Sequence, residues 1–254
     1  MILDQFRLDG KVALVTGSSR GLGQGAAVAL AEAGADIALL DRTVPTETVA
    51  KVEALGRRVH SVQADLATAT PDELAGVVDE VEKALGGLDV LVNNAGTIRR
   101  APAAEHPTAD WDTVLAVNLD AVFHLSQAAG RGMLERGGGK IVNVASMLSF
   151  QGGILVPGYA ASKHAVAGLT KALANEWAAH GVNVNAIAPG YMATDNTAPI
   201  RADEARERSI VERIPAARWG TPADLQGALV FLASDAAAYV HGVILPVDGG
   251  WLVR

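Results

Sequence analysis

Tyr159 and Lys163 stand four residues apart in the segment Tyr159-Ala-Ala-Ser-Lys163. On a helix that spacing puts a phenol and an ammonium on one face, so both project into the same space. A tyrosine with a pKa near ~10 is a poor base at neutral pH, and bringing it to ~7 needs roughly 4 kcal/mol of preferential phenolate stabilisation. A neighbouring cation can supply much of that, which suits the pair to proton exchange with a hydroxyl. Ser146 adds a hydroxyl able to donate or accept at a reacting oxygen. Asn118 is a poor helix former whose amide could hold a water. Tyr and Lys occur at this spacing in many purely structural helices, so the pair gains weight only from the residues around it.

A second chemical group is the turn Thr16-Gly-Ser-Ser-Arg-Gly-Leu-Gly23. Gly17, Gly21 and Gly23, with Ser19, Arg20 and Leu22 between them, supply a tight turn, close backbone approach and free N–H groups at a positive helix end. Those parts suit a pyrophosphate, although a plain strand-to-helix connection would need similar glycines. Asp41 closes the next apolar run, where a carboxylate can accept hydrogen bonds from adenosine ribose hydroxyls. A 2′-phosphate beside it would be repelled, so Asp41 favours NAD over NADP, while Arg20 and Arg42 could pair with such a phosphate. Asp65 and Leu66 follow the third run, where a carboxylate could meet an adenine amino group. Asn93-Asn-Ala95-Gly96 ends the fourth, and its small residues would let a cofactor lie across a sheet edge.

These groups need a scaffold, and the hydrophobic pattern provides one. Strands are expected at Val12–Thr16, Asp36–Leu40, Val59–Gln63, Val90–Asn93, Lys140–Ala145, Val182–Ala188 and Val243–Val247. Helical spacing covers Gly21–Ala33, Thr46–Leu55, Pro71–Leu85, Trp111–Arg136, Pro157–His180 and Pro222–Ser234. This alternation calls for right-handed crossovers and an α/β, Rossmann-type, doubly wound parallel sheet of about seven strands with helices on both faces. No linker or charge block interrupts the series, so residues 1–254 read as a single domain. The irregular stretch 190–214, with its charged run Arg201–Arg208, reads as a solvated helix face and as a mobile lid over a site.

Composition narrows the classes. The 254 residues are 50% hydrophobic, enough to bury a large core and to exclude intrinsic disorder. A net charge of −7 argues against a nucleic-acid partner. The absence of cysteine removes disulfides, iron–sulfur clusters, thiolate zinc sites and a thiol nucleophile. The histidines include no i, i+4 pair, so no helix-borne metal site is encoded. No secretory signal and no apolar run near the ~18 residues of a membrane span are visible, so a soluble cytoplasmic protein is expected.

Taken in order, the glycine turn, Asn93–Gly96, Asn118, Ser146, Tyr159 and Lys163 resemble the short-chain dehydrogenase/reductase superfamily along the whole chain. The resemblance implies that Asn118, Ser146, Tyr159 and Lys163 form a catalytic tetrad. It also implies that Pro189, Gly190 and Thr194 hold a nicotinamide carboxamide, and that the enzyme is an NAD-dependent homotetramer with helices around Trp111–Arg136 and Pro157–His180 at one interface. In the implied reaction Tyr159 takes a hydroxyl proton as hydride leaves the same carbon, Ser146 positions the oxygen, and Lys163 lowers the tyrosine pKa and binds the nicotinamide ribose. Asn118 would support a water chain to solvent.

Further stretches, among them Ser146-Met-Leu-Ser-Phe-Gln-Gly-Gly153, Gly190-Tyr-Met-Ala-Thr194 and Thr97-Ile-Arg-Arg100, are similar to the 2-deoxy-D-gluconate 3-dehydrogenase group. That group is also described as 2-dehydro-3-deoxy-D-gluconate 5-dehydrogenases, acting in uronate and pectin breakdown. A sugar-acid carboxylate would want Arg99 or Arg100. Gln151 could hydrogen-bond a sugar hydroxyl, and Met147 and Met192 could pack around the nicotinamide and substrate carbons. Trp219 and Trp251 fit a pocket edge or an oligomer interface. The competing readings are a gluconate or polyol dehydrogenase, an NADPH-dependent 3-oxoacyl-carrier-protein reductase, and a nucleotide-binding protein without catalysis.

Overall fold

Val12–Thr16 (β1) is buried along its whole length, as a strand covered by helices on both faces must be. A computed structural model describes residues 1–254, the side chain of Asn196 excepted. The remaining strands are Asp36–Asp41 (β2), Val59–Gln63 (β3), Val90–Asn93 (β4), Gly139–Val144 (β5), Val182–Pro189 (β6) and Ile244–Val247 (β7). All neighbours pair in parallel, in the order β3-β2-β1-β4-β5-β6-β7. The expected strands are all present, and only the ends of β2, β5, β6 and β7 differ, by one residue.

Winding reverses between β1 and β4, where Leu14 lies opposite Ala38 on one side and Leu91 on the other. At such a switch point the two crossovers diverge and leave a crevice beyond the carboxyl ends of the strands. The period-two alternation divides each strand between two cores. Ala13, Val15, Ile37, Leu39, Val90 and Val92 pack on one face; Val12, Leu14, Ala38, Leu40 and Leu91 pack on the other.

The helices are Gly21–Glu32 (α1), Thr46–Ala54 (α2), Pro71–Leu85 (α3), Thr108–Leu115 (α4), Ala121–Arg136 (α5), Pro157–Trp177 (α6), Ala198–Arg201 (α7), Glu204–Arg213 (α8) and Pro222–Ala233 (α9). Local chemistry sets their ends. Thr70 and Glu73 form a reciprocal capping box at the start of α3, Pro71 fits its first turn, and Gly86 ends it in the left-handed conformation. Its inward stripe of Leu74, Val77, Val78, Val81 and Leu85 is buried, at roughly 1.5–3 kcal/mol per fully buried side chain.

Two helical expectations require correction. The stretch Trp111–Arg136 is not one helix: it begins earlier, as α4, and is interrupted by a π-helical turn over Ala116–Asp120 before α5. Asn118 occupies that turn, for a reason given below. The stretch expected to be irregular, 190–214, holds a 3-10 turn at Asp195–Thr197 and the helices α7 and α8. Its charged run faces water, and among the described residues Ile210 is the only side chain of α8 that is buried. Among the described residues no helix is long and apolar enough to cross a membrane, and no group of three or more metal-ligating side chains converges.

Candidate active site

The site is assembled at the carboxyl ends of β1, β4, β5 and β6. Pro157 starts α6 with a backbone already fixed for its first turn, which brings Tyr159 and Lys163 onto one face. The Lys163 ammonium lies 5.7 Å from the centre of the Tyr159 ring and donates to the Val144 carbonyl at 2.5 Å. Neighbouring hydroxyls lock the backbone beneath the pair: Ser162 donates to the Tyr159 carbonyl at 2.8 Å and Ser149 to the Lys163 carbonyl at 2.7 Å. Ser146 caps the 3-10 turn Met147–Ser149, its Oγ accepting the Leu148 N–H at 3.1 Å.

Burial sets the electrostatics of the pair. Burial raises the Tyr159 phenol above its ordinary range, and the groups opposing that rise are a hydrogen bond with Ser146 and the charge of Arg100. Lys163, expected to act as the activating cation, is itself pushed down to about 8 by burial. Its charge is directed at the Val144 carbonyl. At pH 7 it remains protonated, and its charge, 5.7 Å from the ring centre, acts at the phenol together with that of Arg100.

Asn118 is fully buried and its amide is already engaged. Oδ1 accepts the Thr97 N–H at 2.8 Å, while Nδ2 donates to the Thr97 carbonyl at 3.0 Å and to Ser162 Oγ at 3.2 Å. Both amide protons and one acceptor site are thus engaged within the protein. Reaching Thr97 draws the helix out of α geometry, which accounts for the π turn. The side chain acts as a clamp between the segment after β4 and the base of Tyr159.

At the glycine turn, Gly17 and Gly21 take positive φ values of 64° and 58°. A Cβ on Gly23 would lie 2.0 Å from the Gly17 carbonyl oxygen, so the strand-to-helix crossing admits no side chain there. No side chain caps α1, leaving the first-turn N–H groups at Gly21, Leu22 and Gly23 available to an anion. Asp41 accepts the N–H groups of Ser19 and Arg42 at 2.9 and 2.8 Å, fixing its carboxylate at the edge of the turn. Arg20 is exposed and paired with Asp195 at 3.0 Å. Thr194 approaches Gly21, its Cγ2 3.8 Å from where a Cβ would stand, so the segment after β6 lies across the turn. The donor set, the open helix end and the glycine crossing fit a dinucleotide.

The other expected cofactor residues divide. Gly96 lies beside Asn118 Oδ1 and Lys163 Nζ, and Gly190 stacks tightly on the Asp248 backbone after the buried Pro189. Asp65 is exposed and caps its own turn through the Ala67 N–H at 3.0 Å, and Leu66 packs on the core. Asn93 points away from the crevice. Its Nδ2 donates to Ser126 and Asn143 at 3.0 and 2.9 Å inside the core, because the alternation of β4 sends that side chain inward. The residue that builds the turn is Asn94, whose Nδ2 donates to the Thr16 and Gly17 carbonyls at 2.9 and 3.1 Å. Thr16 Oγ1 accepts the N–H groups of Asn94 and Ala95 in return. The doubled asparagine at a strand end was the available signal for it.

Among the substrate candidates, Arg99 is engaged with Asp110 at 3.4 Å and with Thr97 at 2.9 Å. Arg100 has no ion pair among the described residues and is the one whose charge reaches Tyr159. Met192 is buried in the main core, and its sulfur crowds Gly220. Met147 is buried with Ile210, Ile214 and Trp251. Gln151 accepts the Trp251 indole N–H at 3.0 Å. Trp219 and Trp251 both pack against Tyr191.

Residues 11–205 match the family model described as short chain dehydrogenase. The chain is 56% identical over 255 residues to 2-dehydro-3-deoxy-D-gluconate 5-dehydrogenase of Escherichia coli (strain K12), covering 100% of both chains. It is 54% identical to an Agrobacterium tumefaciens protein provisionally assigned as a 2-deoxy-D-gluconate 3-dehydrogenase. That crystal structure has bound NADP and superposes with a TM-score of 0.92 over 98% of this chain and 99% of that one. A gluconate 5-dehydrogenase from Burkholderia cenocepacia J2315, in complex with NADP and tartrate, is 41% identical with a TM-score of 0.94 over 100% of both. With its parallel sheet, glycine crossing and Tyr–Lys helix, the chain belongs to the short chain dehydrogenase family and is an oxidoreductase acting on CH–OH groups.

Proposed function

We propose that the enzyme interconverts a hydroxyl and a ketone on a deoxy-ketogluconate-type sugar acid, with NAD as hydride carrier. The observation that carries this reading is the Tyr159–Lys163 face beside Ser146, with Arg100 the nearby guanidinium that has no ion pair among the described residues. A hydroxyl, a phenol and one unpaired guanidinium are what a hydroxy acid requires: two groups for the reacting oxygen and one for the carboxylate. The names of the relatives at 54–56% identity agree with it. Residues 1–254 act as one domain, with 190–214 as the lid over the substrate. The exposed Trp111 and Phe123 on α4 and α5 supply apolar surface for a homotetramer, and the cysteine-free chain suits the cytoplasm.

In the oxidative direction Tyr159 accepts the hydroxyl proton while Ser146 holds the same oxygen as it becomes a carbonyl. A bound nicotinamide supplies the two-electron hydride exchange at the carbon. Lys163, fixed under the ring by Val144, stands beside Gly96 where it can hold the ribose of that cofactor. Asn118 keeps Thr97 and the first turn of α6 in register. In reduction Tyr159 returns the proton.

Steady-state rates with deoxy-ketogluconates, 2-deoxygluconate, gluconate and an acetoacetyl thioester test the reading. The deoxy sugar acids should give the highest kcat/KM, and preference for the thioester would overturn it. Arg100→Ala should raise KM for the acid about 10- to 100-fold, the scale of a lost charge-assisted contact, whereas Arg99→Ala should change it less than about twofold, since its guanidinium is already held by Asp110. Removing Arg100 should also move the acidic limb of the pH–rate profile for oxidation upward, because its charge holds the phenol down.

The cofactor assignment rests on Asp41, whose carboxylate is fixed at the edge of the glycine turn, where it would repel a 2′-phosphate. NAD should exceed NADP in kcat/KM, and Asp41→Ala should narrow that ratio at least about tenfold, equivalent to about 1.4 kcal/mol of relieved repulsion. The NADP bound in the relatives' crystals makes NADP preference the outcome that would overturn this part alone.

A further inference from the structure

We infer that Trp251 is a positioning residue that fixes the sense of the Gln151 amide and so makes Gln151 a hydrogen-bond donor to an oxygen of the substrate chain. The inference rests on the sugar-acid reading above. An indole nitrogen only donates, so the partner facing it must be an acceptor. Trp251 Nε1 meets Gln151 at 3.0 Å, which assigns that contact to Oε1 and leaves the NH2 end free. Turning the amide over would set two donors against each other and lose the bond.

Both ends of this contact are held in place. Trp251 is 6% exposed. Tyr191 packs against its ring at 4.8 Å between centres, and the Arg213 guanidinium of α8 lies over its face at 3.8 Å. The Asp248 carboxylate accepts the Gly250 and Leu252 N–H groups at 2.8 and 2.9 Å, fixing the turn that carries Trp251. Gln151 lies one turn beyond Ser146, its N–H donating to the Met147 carbonyl at 3.1 Å. The Gln151 NH2 has no hydrogen-bond partner among the described residues, and Gln151 is half-buried beside Trp251. Two oriented donors one turn from Ser146 suit a hydroxyl or carbonyl oxygen along a polyhydroxy acid. Because Trp251 also touches Arg213, the placement of α8 and the sense of the amide are set by one side chain.

Steady-state kinetics of the full-length enzyme at saturating cofactor provide the test, with 2-dehydro-3-deoxygluconate, 2-deoxygluconate and gluconate as probes. Trp251→Phe keeps the ring and removes the N–H. It should raise KM for the best of these acids about 3- to 15-fold, the range of one neutral hydrogen bond, with kcat and cofactor Kd within about twofold. Gln151→Glu still accepts from Trp251 but has no donor, and should raise KM at least as much. In the Gln151→Glu background Trp251→Phe should add less than about twofold, because a carboxylate presents an acceptor in either sense. Wild-type KM in Gln151→Glu, or fully additive effects of the two changes, would overturn the inference while leaving the sugar-acid reading intact. A wild-type enzyme that turns over none of the three acids would overturn both.

Discussion

Tyr159→Phe is expected to lower kcat by about 10²–10⁴-fold, the contribution of a positioned general acid–base group, with cofactor Kd changed less than about twofold. Phenylalanine fills the space of the ring, and the Ser162 hydroxyl continues to hold the backbone at residue 159. The first turn of α6 is therefore preserved while the proton acceptor is removed. Ser146 cannot substitute, because its Oγ already accepts the Leu148 N–H and has no base beside it other than the phenol. Single-turnover rates, paired with a fluorescence titration of the reduced cofactor, separate the two quantities. Retention of wild-type turnover would remove Tyr159 from the chemistry.

Lys163→Met should have an equally large effect on turnover and an opposite one on stability. The folded pKa of about 8 lies below the ordinary 10.5, so burying this charge costs on the order of 3 kcal/mol at neutral pH. Removing it leaves the Val144 carbonyl without its partner, which costs about 1–3 kcal/mol. The balance predicts a variant at pH 7 that is no less stable than wild type and up to a few degrees higher in Tm. The sign of the pH dependence follows from the depressed pKa. Below pH 8 both folded and unfolded wild type carry the charge and the penalty is complete; as pH rises from 8 to 10.5 the folded form sheds its proton first and the penalty fades. The stability gap between variant and wild type should therefore shrink between pH 7 and pH 10, as read by thermal unfolding at each pH. A gap constant over that window would contradict the burial of a charged Lys163. Turnover should fall over the same substitution, because the group beneath the Tyr159 ring and beside Gly96 is gone.

Much of the architecture was legible because it is written in short-range periodicity. The runs at β1 and β4, apolar on both faces, announce a covered parallel sheet, and the residues of β1 separate into two cores as alternation requires. Gly17, Gly21 and Gly23 specify a crossing that tolerates no Cβ at the last of them. Tyr159 and Lys163 share a face because a helix of 3.6 residues per turn puts them there.

The limits of the sequence lie where a side chain chooses between partners brought from far along the chain. Arg99 and Arg100 are adjacent and alike, yet Asp110 engages one and leaves the other without an ion pair among the described residues. Asn93 and Asn94 are adjacent and identical, yet β4 turns the first into the core and releases the second to build the glycine turn. Asn118 was recognisable as an odd residue in a helix, but its engagement with Thr97, and the π turn that follows from it, depend on the path of the chain after β4. The contacts of Trp251 with Gln151 and Arg213 likewise join segments far apart in the chain.

The sequence by itself determined the sheet, the glycine crossing and the Tyr–Lys face, since helix and strand periods fix those directions within a few residues. The tertiary structure alone decided which arginine is held by an acid, which asparagine shapes the turn and which end of the Gln151 amide is free. Hydrogen bonds and ion pairs act over a few ångströms, so their partners are set by contacts between segments as distant as Gln151 and Trp251.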